Sequence, residues 1–366
     1  MTDVRMAVIG VGRIGLTHAE TVAHRTHGAR LVAVTTSSAK RAAEVRRRCG
    51  DVAVYPTLDR LLEAGEVDAV VIASSTSAHV ENVERYAAAG VHMLCEKPLA
   101  LDLEGCDRAI AAAEAAGVKL MVGHMQRFDS GYVEAKRFIQ AGAIGVPVIV
   151  RAISGDMDPP PARFADLSVS GGLLLDSMYH DFYLSRWLMA DEIVRVYTEA
   201  GALIDEGVRS VGDVDNAVVS ARFAGGALGT MTASRVTRYG CDLRTEVIGD
   251  EGAVQVGYFR QTPVRLLDRK GVHHDTPQST PDRMGEAFVR ELQAFVDCVR
   301  DDTDPPVSTE DARVTVAVSL AATRSIREGR PVDVVDVEVG RPETMARRKS
   351  GLPCSDGGRQ RRDKKV

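Results

Sequence analysis

The chain has 366 residues, of which 45% are hydrophobic and 27% charged, with a formal net charge of −5. Its length and composition are typical of a globular protein with two or three cores, and no segment approaches the roughly 18 apolar residues that a membrane span needs. Because the first apolar strand begins almost at the first residue, we expect no signal peptide and a cytoplasmic protein.

The charge is unevenly distributed along the chain. From Arg341 to the end there are nine Lys or Arg and three Asp or Glu, a net charge of +6 that leaves −11 for the remainder. The strongly acidic remainder of the chain argues against nucleic acid as the main partner. Residues 337–366 form a basic tail that is short of large apolar side chains and is expected to be disordered, with partner or nucleic-acid binding as the alternative.

The cysteines show no CxxC pair and no zinc-type spacing. They are Cys49, Cys95, Cys106, Cys241, Cys298 and Cys354. In a cytosolic protein such scattered cysteines indicate reduced, mostly buried thiols. A reactive thiol at Cys241 is the alternative.

Short apolar segments alternate with helical patterns as far as Gly123. The predicted strands are Arg5–Gly10, Leu31–Thr35, Ala69–Ala73, His92–Cys95 and Leu120–Gly123. The predicted helices are Ile14–His24, Lys40–Arg48, Leu58–Ala64, Ser77–Ala89 and Leu103–Ala116. Continuous apolar strands separated by helices are typical of a parallel sheet covered on both faces, so residues 1–123 are predicted to form one α/β domain.

Beyond Gly123 the predicted strands follow one another without intervening helices. They are Val194–Glu199, Ala217–Phe223, Ala227–Ser234, Asp242–Gly249 and Gly252–Gly257. Helices are predicted at Ser130–Ala141, Gly172–Leu188, Arg283–Arg300 and Thr309–Glu328, the last capped by Ser308. This pattern predicts an antiparallel or mixed sheet with helices on one face, forming a second domain over residues 124–336.

A glycine-rich motif follows the first predicted strand. The segment Val8-Ile-Gly-Val-Gly-Arg-Ile-Gly places GxGxxG between a strand and a helix. In that context Gly10 permits a tight turn, Gly12 lets the backbone approach a pyrophosphate, and Gly15 lets the helix pack closely on the strand. We expect a dinucleotide at this helix N-terminus, in contact with Arg13 and Ile14 as well.

The end of the second strand departs from the usual NAD pattern. An NAD-binding domain normally carries Asp or Glu there for the ribose 2′-hydroxyl, but this chain reads Val34-Thr-Thr-Ser-Ser-Ala-Lys-Arg. Thr36 or Ser37 could bind a 2′-phosphate, and Lys40 or Arg41 could neutralise it. The cofactor is therefore expected to be NADP or NAD, with NADP favoured. A solvated helix start at Lys40 and Arg41 is the alternative.

Small hydroxyl residues follow the strand Ala69–Ala73. Ser74, Ser75 and Thr76 fit a surface that faces the cofactor's ribose and nicotinamide, and His79 is expected at the helix start or beside the cofactor rather than as a catalytic base.

The segment Cys95-Glu-Lys-Pro-Leu lies at the ligand-binding edge of the predicted sheet. Beside a bound nicotinamide, Lys97 could polarise a substrate oxygen and stabilise a developing alkoxide. Glu96 could pair with Lys97 or position it, so both are expected near the cofactor.

The segment Ser170-Gly-Gly-Leu-Leu-Leu-Asp-Ser-Met-Tyr-His-Asp begins a predicted helix. Asp176 and His180 stand four residues apart, which would place an imidazole and a carboxylate on one helix face. Alone, this pattern also fits a surface pair or two ligands of an incomplete metal site. Combined with GxGxxG and Glu-Lys-Pro in this order, it predicts a catalytic pair, and no metal site is expected.

Over residues 4–335 the chain resembles the Gfo/Idh/MocA oxidoreductases, and among them the inositol 2-dehydrogenases. The motifs that carry the resemblance are GVGRIG, EKPLA, GHMQRFDSGY, SGGLLLDSMYHDFYLSRWL, DVDNA and SRVTRYGCDLRTEVIGDEG. The resemblance implies a Rossmann domain and a C-terminal α/β domain with a large open, mostly antiparallel sheet. It also implies assembly through the exposed sheet face, as a homodimer or homotetramer.

By the same resemblance, Lys97, Asp176 and His180 correspond to the family's catalytic trio, while Arg127 and Tyr239 fall in motifs that line the substrate pocket. His180 would accept the hydroxyl proton, Lys97 would stabilise the oxygen, and Asp176 would orient His180 or the substrate.

Two departures from the inositol dehydrogenases concern the substrate. Their polar stretch is replaced by Ser154-Gly-Asp-Met-Asp-Pro-Pro-Pro, and their Tyr-Gly-Tyr-Asp by Tyr239-Gly-Cys-Asp. Asp156 could bind a hydroxyl or amino group, which suggests a modified cyclitol or aminosugar.

We expect a dehydrogenase that acts on a secondary hydroxyl of inositol or a related cyclitol. The same chemistry on a pyranose is the nearest alternative. A non-catalytic cofactor-binding regulator is the alternative of another class, and the intact trio counts against it.

Overall fold

The computed structural model describes residues 3–65, 67–161, 164, 166–257 and 264–338. The strands are β1 Val4–Ile9, β2 Ala29–Thr35, β3 Ala53–Tyr55, β4 Ala69–Ile72, β5 His92–Glu96, β6 Leu120–Gly123, β7 Pro147–Gly155, β8 Ile193–Gly201, β9 Asn216–Phe223, β10 Leu228–Ser234, β11 Asp242–Gly249, β12 Ala253–Val256, β13 Leu266–Asp268, β14 Gly271–His273 and β15 Val332–Asp333. The α-helices are α1 Arg13–Arg25, α2 Ala39–Cys49, α3 Leu58–Ala64, α4 His79–Ala88, α5 Leu103–Ala116, α6 Ser130–Gln140, α7 Leu167–Ser170, α8 Gly172–Asp176, α9 Tyr179–Met189, α10 Glu206–Ser210, α11 Thr280–Arg300, α12 Thr309–Glu328 and α13 Val335–Glu338.

The first six strands form a parallel sheet in the order β3-β2-β1-β4-β5-β6. All four residues of β4 are fully buried, because helices cover both faces. The strand order reverses between β1 and β4, and in such sheets a ligand binds beyond the carboxyl ends at this point. The loops after β1, β4 and β5 therefore mark the expected site. The Rossmann prediction is confirmed, although the three-residue β3 was too short to recognise in the sequence.

The second sheet has seven strands in the order β12-β11-β7-β10-β9-β8-β15. Only β7 and β10 pair in parallel, and every other neighbouring pair is antiparallel. The prediction of a large, mostly antiparallel sheet is thus confirmed. The interior strand β7 was missed. It is flanked by strands that follow it by some seventy residues or more, so its pairing leaves no local signal.

The predicted single helix Gly172–Leu188 is wrong. The segment forms two helices, α8 and α9, separated by a turn at Ser177 and Met178. The turn is widened, because the amide of Met178 donates to the carbonyl of Leu173, five residues earlier, at 3.1 Å. Asp176 therefore ends one helix while His180 lies in the next.

The two long C-terminal helices join the sheets. α11 contributes Met284 and Phe288 to the core of the second sheet and Leu292 and Phe295 to the core beside α1. α12 likewise buries residues in both halves, and Ser308 caps it by accepting from the amide of Asp311 at 3.1 Å, as predicted. Side chains of α11 can therefore reach the edge of the Rossmann sheet.

Among the described residues, no helix combines the length and apolar character needed to cross a bilayer. The predicted basic tail lies outside the described residues from position 339 onward, and so does Cys354. The other five cysteines are free and buried. Burial raises the pKa of the Cys241 thiol to about 11, which disfavours the reactive-thiol alternative.

Candidate active site

The loop between β1 and α1 has the shape of a phosphate cradle. Gly10 has φ +85°, and its amide donates to the hydroxyl of Thr35 at 3.1 Å. A Cβ on Gly15 would lie 1.9 Å from the carbonyl oxygen of Gly10, whereas a Cβ on Gly12 would meet no atom within 4 Å. No side chain caps α1, so its first amides face this open space, beside Arg13 and Ile14. The residues present fit a dinucleotide pyrophosphate.

The residues expected at the ribose lie around the start of α2. Thr36 accepts from the amide of Ser38 at 3.2 Å, and Ser37 is exposed. The guanidinium of Arg41 donates to Glu44, on its own helix, at 2.7 Å. Thr36 and Ser37 are thus placed at the carboxyl end of β2, while Arg41 already has an acidic partner.

The loop after β4 is tied to the loop after β5 through His79. The hydroxyl of Ser74 accepts from Asn82 at 2.9 Å, while Ser75 and Thr76 lead into the next helix. The two ring nitrogens of His79 lie 2.8 Å from the carbonyl oxygen of Pro98 and 3.2 Å from that of Ser74. Burial lowers the pKa of His79. His79 contacts the protein's own loops, beside the expected cofactor site.

Lys97 and Asp176 join the two halves of the molecule. The Nζ atom of Lys97, which directly follows β5, donates to the carbonyl oxygen of Asp176 at 2.7 Å and to its Oδ1 at 3.0 Å. Both side chains are less than one-fifth exposed. An ammonium group has three N–H donors, so a third is left for a substrate oxygen. The contact brings together Lys97 and Asp176, two of the three residues expected to be catalytic, and their catalytic roles remain a prediction.

Arg235, in the motif SRVTRYG, is a further residue of this region, and its sequence pattern predicted no function for it. It follows β10, is 1% exposed, and its Nη2 lies 3.6 Å from Oδ2 of Asp176 and 3.4 Å from Oδ2 of Asp213. Burial opposes ionisation of Asp176, but Lys97 and Arg235 outweigh it and hold its pKa below the ordinary value. Asp176 is thus a carboxylate held between two cations.

His180 lies in the same region, 7% exposed, and its buried Nδ1 has no partner among the described residues. Burial, together with the charge of Lys97, holds the pKa of His180 well below the ordinary histidine value. The imidazole is therefore neutral at neutral pH and able to accept a proton. No hydrogen bond joins His180 to Asp176, although the structure describes both, because the turn between α8 and α9 separates them.

Asp156 faces the same cleft from the end of β7. Its Oδ2 accepts from the hydroxyl of Ser177 at 3.4 Å. Burial and the nearby charge of Asp176 raise the pKa of Asp156, while Arg235 and Arg13 act in the opposite direction. Arg13, at the start of α1, and Asp156, directly after β7, are thus close enough for their charges to interact.

Arg127 and Tyr239 have other partners. The guanidinium of Arg127 donates to the hydroxyl of Tyr183 at 2.8 Å and lies 5.4 Å from the ring centre of Trp187. Tyr239 is 56% exposed, and its hydroxyl donates to Asp242 at 3.3 Å. Their predicted contact with substrate remains a prediction.

Comparisons with known proteins identify the family. The model of an oxidoreductase family with an NAD-binding Rossmann fold, GFO_IDH_MocA, matches residues 4–124, and that of the GFO/IDH/MocA C-terminal domain matches residues 132–255. The chain is 38% identical to scyllo-inositol 2-dehydrogenase (NAD(+)) of Bacillus subtilis (strain 168), over 91% of this chain and 96% of that protein. It is 37% identical to myo-inositol 2-dehydrogenase of Thermotoga maritima, over 91% of this chain and 99% of that one.

A solved structure shows the same fold. Scyllo-inositol dehydrogenase from Lactobacillus casei, with bound cofactor NAD(H) and scyllo-inositol, superposes with a TM-score of 0.85 at 27% identity, covering 91% of this chain and 100% of that one. The resemblance found in the sequence is confirmed. The chain belongs to the Gfo/Idh/MocA family and is an oxidoreductase with an NAD-binding Rossmann domain.

Proposed function

We propose that this protein is an NAD(P)-dependent dehydrogenase that oxidises a secondary hydroxyl of inositol or a related cyclitol, or forms it in reverse. The observation that carries the proposal is the meeting of Lys97, from the Rossmann sheet, with Asp176, in the region of a neutral His180. The inositol specificity named for the relatives of 37–38% identity supports the substrate class.

When bound, the nicotinamide supplies the hydride acceptor, and the chain supplies the proton chemistry. His180, held neutral by burial and by Lys97, accepts the hydroxyl proton of the substrate. The third N–H of Lys97 binds the reacting oxygen and stabilises its developing negative charge. Asp176 fixes the position of the ammonium group, and Arg235 keeps Asp176 ionised.

Asp156 binds a further hydroxyl or amino group of the substrate, since it is part-buried and faces Asp176 and Arg13. We propose that Arg127 and Tyr239 also contact the substrate. In this account Glu96 and His79 hold the loops around the cofactor rather than reacting.

The choice between NADP and NAD depends on the end of β2. No acid lies in the segment Thr35–Arg41, which favours NADP, whereas Arg41 is already paired with Glu44 and the B. subtilis relative is named for NAD. We propose NADP as the preferred cofactor. Turnover at equal concentrations of the two cofactors tests it, and a strong preference for NAD would contradict it.

We also propose a homodimer or homotetramer assembled through the open face of the second sheet. Val218 and Leu228 point away from the covering helices and are exposed on that face. Light scattering coupled to size-exclusion chromatography measures the oligomer number, and a monomer at micromolar concentration would contradict assembly.

The function is tested with a panel of inositol stereoisomers, aminocyclitols and free or phosphorylated pyranoses, each with NAD and NADP. We expect cofactor reduction with at least one cyclitol at a higher kcat/KM than with any pyranose. A higher kcat/KM with a pyranose would mean that the enzyme carries out the same dehydrogenation on pyranoses. Saturable cofactor binding without turnover on any member would support a regulator instead.

His180→Gln is expected to lower kcat by about 10²- to 10⁴-fold, because glutamine cannot accept the proton. In the wild type, protonation of His180 on acidification lowers activity. Since its pKa is lowered, that fall comes below the ordinary histidine pKa of about 6.5. The acidic fall should be absent from the pH profile of the variant. The exposed His273→Gln serves as the matched control, and an unchanged profile in His180→Gln would remove His180 as the base.

Asp181→Asn is expected to remove part of the pH dependence of stability. Burial raises the pKa of Asp181 to about 7, although Ser154 donates to it at 2.9 Å. Between about pH 4 and pH 7 the folded protein therefore binds a proton that the unfolded chain has lost, so this group makes stability fall as pH rises. Urea unfolding at several pH values should show a smaller fall in Asp181→Asn than in the exposed control Asp158→Asn. Parallel curves would contradict the assignment.

A further inference from the structure

Next to Lys97 lies a largely buried cluster of His18, Glu96 and Glu291. One ligand atom from each of the three side chains lies within 4.8 Å of those of the other two. His18 belongs to α1, Glu96 ends β5, and Glu291 belongs to α11. The cluster therefore joins the helix at the expected cofactor site, the strand that Lys97 directly follows, and the helix that packs against both cores.

Two of these side chains have no contact with solvent. His18 and Glu291 are each 0% exposed. His18 Nε2 lies 2.7 Å from Oε1 of Glu96, whereas both carboxyl oxygens of Glu291 lack a hydrogen-bond partner among the described residues. A buried carboxylate without partners is strongly disfavoured, so Glu291 needs either a proton or a counter-ion.

The charges around Glu291 determine whether it takes a proton or a counter-ion. The titratable groups that face it are His18 from α1 and Glu96 from β5, and Lys97 acts on Glu96 from one residue further. Burial and the charge of Glu96 raise the pKa of Glu291 well above the ordinary value. Burial also opposes ionisation of Glu96, but its bond to His18 and the charges of His18 and Lys97 outweigh burial and lower its pKa.

A divalent cation could also neutralise two carboxylates. It would have to enter a core where His18 and Glu291 have no exposed surface, and it would displace the existing 2.7 Å contact between His18 and Glu96. Protonation of Glu291 requires neither the entry of a metal ion nor the loss of the contact between His18 and Glu96. The geometry thus favours a proton on Glu291 over a metal ion.

We propose that Glu291 carries a proton at neutral pH and, through Glu96, is a positioning residue for Lys97. Oε2 of Glu96 accepts from the backbone amide of Lys97 at 3.2 Å. Ionisation of Glu291 would place two negative charges within 4.8 Å of one another in a largely buried cluster. The repulsion would displace Glu96 and remove the acceptor that holds the Lys97 backbone. The effect on turnover rests on the proposed dehydrogenase function, but the protonation state does not.

Infrared spectroscopy tests the protonation state directly. At neutral pH the difference spectrum of wild type minus Glu291→Gln should contain the carbonyl stretch of one protonated carboxylic acid, which shifts in deuterium oxide. The same measurement on Glu286→Gln, an exposed residue of the same helix, should show none. A carboxylate band in its place would overturn the proposal, whatever the enzyme's activity.

Kinetics and metal analysis test the positioning effect. Glu291→Leu should lower kcat about tenfold with little change in KM. Glu291→Gln should restore most of kcat. If kcat of the wild type falls at alkaline pH because Glu291 ionises, that fall should be absent from Glu291→Gln. Equal loss in the two variants, or persistence in Glu291→Gln of the alkaline fall seen in the wild type, would overturn positioning by a neutral group. One divalent cation per chain in the dialysed wild type, lost in Glu291→Gln, would make the cluster a metal site and also overturn the proposal.

Discussion

Lys97→Met is expected to lower kcat by about 10²- to 10⁴-fold while leaving cofactor affinity within about threefold. Methionine fills a similar volume but supplies no N–H donor to the reacting oxygen, so the negative charge that develops there is no longer stabilised. The bonds from Nζ to the carbonyl and carboxylate of Asp176 are lost as well, which leaves Asp176 with Arg235 as its nearest cation. The measurement is kcat on the preferred cyclitol with calorimetry of cofactor binding.

Lys270→Met is the matched control, because Lys270 lies exposed in the turn between β13 and β14. It should retain wild-type turnover. Near-normal kcat in Lys97→Met would remove Lys97 from the chemistry, and loss of cofactor affinity in parallel with kcat would give it a binding role only.

Arg235→Leu is expected to lower the free energy of unfolding by about 3–5 kcal/mol, because removing one partner of a buried ionic cluster leaves charges uncompensated. Arg235 is 1% exposed and lies 3.6 Å from Asp176 and 3.4 Å from Asp213. Asp176 retains Lys97, so most of the loss should come from Asp213. Urea unfolding at neutral pH measures the change.

The double variant Arg235→Leu/Asp213→Asn separates charge from packing. Asparagine keeps the oxygen that accepts from the amide of Leu173 at 3.1 Å and removes the uncompensated charge, so it should recover part of the lost stability. The exposed Arg46→Leu is the control for the substitution itself. Wild-type stability in Arg235→Leu, or no recovery in the double variant, would contradict the ionic account.

The Rossmann half could be predicted almost element by element, because its strands are continuous apolar runs and its connections are local. The second half of the chain was harder to predict from the sequence. β7 was missed because its partners β10 and β11 lie far along the chain, and the break after Asp176 was missed because it depends on one shifted backbone bond at Met178.

The candidate site, like the fold, could be predicted only in part from the sequence. Gly10, Gly15 and Lys97 could be found because short motifs contain the chemistry they need. Arg235 and Glu291 could not be assigned, because their importance comes from burial beside charges on other elements. A lone arginine after a strand, or a glutamate in an amphipathic helix, is ordinary in sequence. Only packing shows that these two have almost no contact with water.

The most direct measurement uses an inositol that carries deuterium on its ring carbons. If the account is correct, wild-type enzyme transfers one deuterium to the nicotinamide of the reduced cofactor, and kcat/KM or single-turnover rates show a primary isotope effect. Reduced cofactor without deuterium, or ring oxidation that leaves the added nicotinamide dinucleotide unchanged, would contradict it.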